Sequence, residues 1–177
     1  MKKTATWVLD PAHSEIGFKV KHMMFTNVSG TIAQFDASSI ATEDSFENAS
    51  FSFVGKTDSI TTGSADRDTH LLSPDFFDVA QYPEVSFQSN SFVKINEGEY
   101  ELKGDLTLHG VTKPVNLSVE YGGLIKDPWG NTKAGFSITG KINRKDWGLN
   151  WNSALEAGGV LVGEDIKLAV ELQFIKH

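Results

Sequence analysis

"YELKGDLTL", residues 100–108, is the stretch whose reading decides the fold. Tyr100, Leu102, Leu106 and Leu108 fall on one parity, and Glu101, Lys103, Asp105 and Thr107 on the other. Successive side chains of a strand point to opposite faces, so this alternation predicts a ribbon with one buried and one wet face. The pattern recurs along the chain. "EIGFKVKH" (15–22) sets Ile16, Phe18 and Val20 against Glu15, Lys19 and Lys21, and "ASFSF" (49–53) aligns Ala49, Phe51 and Phe53. "VNLSVEY" (115–121) aligns Val115, Leu117, Val119 and Tyr121. "FSITGKI" (136–142) aligns Phe136, Ile138 and Ile142, and "IKLAVELQF" (166–174) aligns Ile166, Leu168, Val170, Leu172 and Phe174.

"NEGE" (96–99), "HGVTKP" (109–114) and "DPWGN" (127–131) place glycine and proline where these runs must reverse. Eight or nine strands with one apolar face each make either a sandwich or a closed barrel, and the tight sequential hairpins late in the chain favour an all-β, closed, antiparallel up-and-down barrel. The 177 residues suit one domain spanning 1–177, with no repeat period and no linker.

The alternation pauses at "SADRDTHLLSPDFFDVAQYP" (64–83) and resumes beyond it around Phe87. Ser64 can cap a helix carrying Asp66 in its first turn, and Ser73-Pro74-Asp75 repeats the start signal. Two short helical pieces near residues 64–80 are expected. The adjacent Phe76 and Phe77 can share one side only by covering something apolar, such as an open barrel end.

Composition narrows the function. Sixteen basic against 23 acidic residues give a net charge of −7 with no basic cluster, which argues against nucleic acid as a partner. Without cysteine there is no disulfide, thiolate metal site or cysteine nucleophile. The opening "MKKTATWVLDP" carries no apolar run of signal-peptide length, so a cytoplasmic location is expected, or a periplasmic one if a leader was removed. Asp66 and His70 could share a helix face, but two candidates make no metal site, and neither HExxH nor GxSxG occurs. The expectation is a non-enzymatic protein with no cofactor and no metal.

A barrel of about eight strands is either just filled by its side chains or holds one small ligand. Gly104 and Gly140 fall on the inward parity, where they either leave space or mark bends. His22 and Arg144 continue inward rows to the strand ends. Each needs a partner there: a backbone carbonyl for His22, a carboxylate such as Asp66, Asp68 or Asp146 for Arg144, or else a ligand's polar head. The glycine-bearing segment 146–163, with Trp147, Trp151, Leu155 and Val160, could plug the barrel, gate it or form a dimer contact.

"HSEIGFKVKH", "DRDTHLLSPDFFDVAQYPEVSFQS", "LKGDLTLHGVTKPV" and "INRKDWGLNW" together resemble the YceI-like family of lipocalin-like, polyisoprenoid-binding proteins. The resemblance runs from about Trp7 to the last strand. It implies binding, storage or transport of a long-chain lipid, such as a polyprenyl quinone, a prenyl pyrophosphate or a fatty acid derivative, in an apolar lumen. The lumen would be lined by Phe18, Val20, Phe51, Phe53, Phe87, Leu102, Gly104, Leu106, Leu117, Phe136, Ile138 and Gly140, closed by Phe76 and Phe77. His22, Arg144, Trp147 and Trp151 would stand at its rim; His22, Asp66, Asp68, Arg144, Trp147 and Asn150 fall in motifs typical of the family. Transient membrane contact and a homodimer could accompany such a ligand. The alternative is a solid barrel serving protein interaction or stress-related structure.

Overall fold

Hydrogen bonding closes the alternating strands into a ring. The structure is a computed structural model, and it describes residues 3–43, 45–153, 155 and 161–177. Its strands are β1 (Thr4–Leu9), β2 (Glu15–His22), β3 (Thr26–Ile32), β4 (Phe35–Thr42), β5 (Ser45–Lys56), β6 (Ile60–Thr61), β7 (Glu84–Asn96), β8 (Glu99–Leu108), β9 (Val111–Lys126), β10 (Thr132–Asn143) and β11 (Val162–Lys176). One α-helix, α1 (Ala65–Leu72), lies between β6 and β7.

These eleven segments form eight ribbons. β1 and β2 both pair with β11, and both act as one long strand bent at the short turn Pro11–His13. Leu9 faces Phe174 and Glu15 faces Glu171, so the chain spends six residues against three across that bend. β3 and β4 form a second bent ribbon along β2 and β1, and the short β6 extends the β5 ribbon against β3. Thereafter β7 to β11 follow as plain antiparallel neighbours, and β11 closes on β1 and β2. The architecture is an eight-stranded, closed, antiparallel up-and-down barrel. Among the described residues every strand but the two-residue β6 is paired on both sides, so the sheet offers no long free edge of the kind that invites association.

One end of the barrel, here the lower, carries the start of β1 and the end of β11. Its interior is packed with aromatic rings. Phe92 and Phe174 are fully buried, Phe92 stacks on Tyr100 with centroids 4.4 Å apart, and Phe51 meets Phe92 edge-on at 4.8 Å. Phe46 bridges Trp7 (4.9 Å) and Phe136 (5.1 Å), and Tyr121 stacks on Phe136. Offset and edge-to-face geometries let such rings fill the ribbon spacing without voids. The inward parity of 100–108 holds throughout, with Tyr100, Leu102, Leu106 and Leu108 all buried.

α1 begins as its sequence predicts: Ser64 caps it by accepting from the Arg67 amide. The second helical piece does not form. Residues 73–81 make successive turns, with the Phe76 and Asp78 amides both bonded to the Ser73 carbonyl. Asp78 adopts a left-handed φ of 49°, which a right-handed helix cannot contain.

The β1–β2 bend is held by a buried carboxylate. Asp10 Oδ2 accepts from Lys133 Nζ (3.0 Å), His13 Nδ1 (2.9 Å) and Gln173 Nε2 (3.1 Å). Burial alone would raise the Asp10 pKa, but the hydrogen bonds and charges of Lys133 and His13 outweigh it and hold the carboxyl below its usual range. A depressed folded-state pKa stabilises the fold fully above the ordinary carboxylate value, and this contribution is lost as pH falls through the folded value. We expect Asp10→Ala to cost about 2 kcal/mol at neutral pH. In urea titrations the gap between wild type and variant should close in acid; a gap of equal size at both pH values would contradict this role.

Candidate functional site

Above the aromatic floor the inward side chains, aliphatic and aromatic alike, do not meet at the barrel axis. A partly enclosed cavity of about 220 Å³ remains. Its walls are the inward rows of the strands, including Phe18, Val20, Phe53, Leu106, Leu117 and Ile138, and its base is set by Phe51 and Phe174. Among the described residues, Arg144 is the only charged side chain in its wall. Leu71 at the end of α1, with Phe76 and Phe77 in the turns after it, covers the upper end, so both phenylalanines do face one apolar space.

Of the residues expected from sequence to line a lumen, Phe18, Val20, Phe51, Phe53, Phe76, Phe77, Phe87, Leu102, Leu106, Leu117, Ile138, Arg144 and Trp147 do so. Five do not. Phe136 is buried in the floor, beneath the cavity. Gly104 points inward but is covered: a Cβ there would stand 2.5 Å from the Phe87 ring and 2.5 Å from the Gln88 carbonyl oxygen. Gly140 is covered in the same way by the Leu117 side chain. Both glycines therefore make room for a neighbour's side chain. His22 is half-buried at the end of β2, opposite Thr26 and Val162, and lies outside the wall. Trp151 instead packs on the flap formed by α1 and the turns after it, edge-on to His70 (centroids 4.7 Å) and against Phe76 (5.3 Å).

Sequence reasoning missed several wall residues: Ile60 and Leu71 belong to the connection around α1 and carry no alternation of their own, whereas Val85 shares the parity of Phe87 at the start of β7 and could have been found from it. His70 pairs with Asp75 (Nε2 to Oδ2, 2.9 Å) and not with Asp66. Asp68 accepts from the Thr62 amide and hydroxyl, which ties the start of the flap to β6; burial raises its pKa, but these bonds pull it below the usual range. Among the described residues, no group of three or more histidine, aspartate or glutamate side chains is placed to hold a metal.

Arg144, 3% exposed, has carbonyl partners where carboxylates were expected. Its Nε donates to Gly163 O (2.8 Å), Nη1 to Leu149 O (2.6 Å) and Trp151 O (2.9 Å), and Nη2 to Val162 O (3.3 Å). The guanidinium lies 5.9 Å from the centre of the Phe76 ring. Burial lowers the Arg144 pKa, with Glu164 partly opposing. Trp147, beside it in the turn Arg144–Trp147, is buried and donates Nε1–H to Leu106 O at 3.0 Å. Arg144 thus clamps both ends of the segment that follows β10 against the rim. Residues 154 and 156–160 of that segment, Val160 included, lie outside the described residues, and with them the proposal that it plugs the barrel.

The fork geometry of arginine makes this clamp hard to replace. Arg144→Lys should lower stability by about 2–4 kcal/mol, because one ammonium cannot serve four buried carbonyls. Limited proteolysis should then cut first within 149–163; cleavage indistinguishable from wild type would contradict the clamp.

Comparison with known proteins places this arrangement. The Campylobacter jejuni YCEI protein superposes with a TM-score of 0.77 and 33% identity, each chain covered to 96%. A polyisoprenoid binding domain from Saccharophagus degradans, implicated in plant cell wall breakdown, shares the fold with a TM-score of 0.65 at 14% identity, both chains covered in full. UPF0312 protein SA2479 of Staphylococcus aureus (strain N315) is 35% identical over 169 residues, covering 95% of this chain and 96% of that protein. The YceI-like domain model matches residues 7–174, and the chain belongs to that family.

Proposed function

We propose that this barrel binds one amphiphilic lipid without transforming it, its hydrocarbon chain in the upper cavity. The observation that carries this reading is an apolar vacancy of about 220 Å³ above a floor that the protein fills with its own rings. Left empty, an apolar space of this size costs on the order of several kcal/mol in lost contacts. A hydrocarbon guest recovers those contacts and adds roughly 0.8 kcal/mol per methylene removed from water. The polyisoprenoid-binding domain that shares the fold supports a prenyl chain as the class of guest. Storage or carriage of such a lipid, as opposed to catalysis, suits a wall with a single charged group already engaged by four carbonyls.

The aromatic floor sets a limit on the length effect. Affinity should rise about fourfold per added methylene while the chain is short, then level off once its end reaches Phe51 and Phe174. Further length would project from the mouth and add little. Competition binding across a series of saturated and prenyl chains checks this; affinity independent of length among short chains would contradict lumen burial.

Two further measurements separate a filled cavity from a solid barrel. Intact mass under native and denaturing conditions should reveal a non-covalent adduct that organic solvent extracts. Ile138→Phe should exclude added lipid while costing less than the roughly 1–3 kcal/mol of an overpacked core, because the larger side chain enters vacant space. A bare protein that fails to shift with added prenyl lipids, together with an Ile138→Phe variant that unfolds, would favour the solid-barrel reading.

A further inference from the structure

The β2–β3 hairpin exposes apolar side chains at the cavity end of the barrel. Met24 is 64% and Phe25 84% exposed, with Met23 beside them at 42%. Their backbone is as unusual as their exposure. Met23 and Met24 both take left-handed φ values, 53° and 64°, and the Phe25 amide closes the turn on the His22 carbonyl at 3.1 Å. Asparagine and glycine occupy such turns at less cost, so two methionines here mark a position kept for something other than folding. The tip adjoins the cavity directly: Val20 and Val162 line it, Val162 is paired with His22, and the Met23 amide bonds the Leu161 carbonyl at 2.8 Å.

Below the tip, the outer face carries lysines in a row. Lys141 on β10 lies opposite Lys167 on β11, and Lys167 lies opposite Lys19 on β2, with Lys21 one step nearer the tip. All four are exposed. Like charges directly opposite across strands repel, so this row carries an electrostatic cost within the fold. Among the described residues Lys19, Lys21 and Lys167 meet no carboxylate within salt-bridge distance, while Lys141 reaches Asp165 only at 3.8 Å and the neighbouring Lys145 takes up Glu164. The charge is local in a chain of net charge −7. Across the mouth, the flap instead exposes Asp66 and Asp75.

We infer that the mouth of the barrel docks on an anionic lipid bilayer, with Met23, Met24 and Phe25 entering the headgroup layer and the Lys19–Lys167–Lys141 row facing the anionic headgroups. The acidic flap is held off the same surface, which tilts the barrel so that the Val20–Val162 rim meets the membrane. This deepens the lipid-binding reading above by naming where the guest enters. Apolar insertion combined with lysine attraction is the pairing of forces that holds proteins at membrane interfaces.

Sedimentation with vesicles tests it, using phosphatidylcholine alone against an equal mixture of phosphatidylcholine and phosphatidylglycerol. The full chain should sediment with the anionic vesicles, weaken as salt rises, and bind neutral vesicles poorly. A Met24→Asp/Phe25→Asp variant should lose this binding. Lys19→Glu and Lys167→Glu should each weaken it by at least roughly fivefold. Trp129→Ser, at the exposed tip of the opposite end, should leave it unchanged. Failure of the wild type to sediment, equal binding to neutral vesicles, or loss with Trp129→Ser and not with the tip variant would overturn the docking surface. Uptake of a soluble fluorescent fatty acid without vesicles reports the lumen separately. Uptake without vesicle binding sinks the docking surface alone, and vesicle binding without uptake sinks the lumen reading alone.

Discussion

Closure of the ring is the constraint on which everything else depends. Once β11 pairs with β1 and β2, each inward side chain must either reach the axis or leave a gap that no neighbouring element can close from outside. The lower half meets this demand with rings: Trp7, Phe46, Phe92, Tyr100, Tyr121, Phe136 and Phe174 interlock at centroid spacings of about 4.4 to 6 Å. The upper half meets it with aliphatic side chains interspersed with Phe18, Phe53 and Phe87, and these leave a space of about 220 Å³ between them.

The two ends therefore have different tasks. The lower end is knit by the Asp10 carboxylate, with Lys133, His13 and Gln173 gathered at the bend between β1 and β2. The upper end is closed by two segments that are not strands. The flap around α1 contributes Leu71, Phe76 and Phe77, and the segment after β10 contributes Trp147 and Leu149. Arg144 binds the second segment through carbonyls and touches the first through the Phe76 ring, and Trp151 leans on His70 and Phe76. The cover over the apolar space is thus held by directional bonds and edge contacts, the floor by interlocked rings.

Much of this was legible in the alternation. Parity identified the inward rows, and with the sequential hairpins it favoured a barrel over a sandwich, because period-two patterning and burial report the same geometry. Parity could not say what lies across the tube. Gly104 and Gly140 could be either gaps or bends by parity, and Phe87 and Leu117 from neighbouring strands occupy the space their missing side chains leave. Phe136 shares its parity with Ile138 but belongs to the floor, since parity gives the face and not the depth. Arg144 was correctly turned inward, but its partners are backbone carbonyls of a segment that returns from up to 19 residues away, and no side-chain signal announces them. The second helical start at Ser73 was overridden at Asp78, whose left-handed backbone turns the chain so that Phe76 and Phe77 reach the cavity.

The half-filled tube is tested most directly by intermolecular NOEs between a protonated hydrocarbon chain and a deuterated protein with labelled methyl groups and aromatic rings. The account predicts cross-peaks from the chain to the methyls of Leu117, Ile138 and Leu168 and to the Phe51 ring at the cavity base, with none to the Phe46 and Tyr121 rings deeper in the floor. Cross-peaks confined to outward-facing residues, or reaching Phe46 and Tyr121, would contradict it.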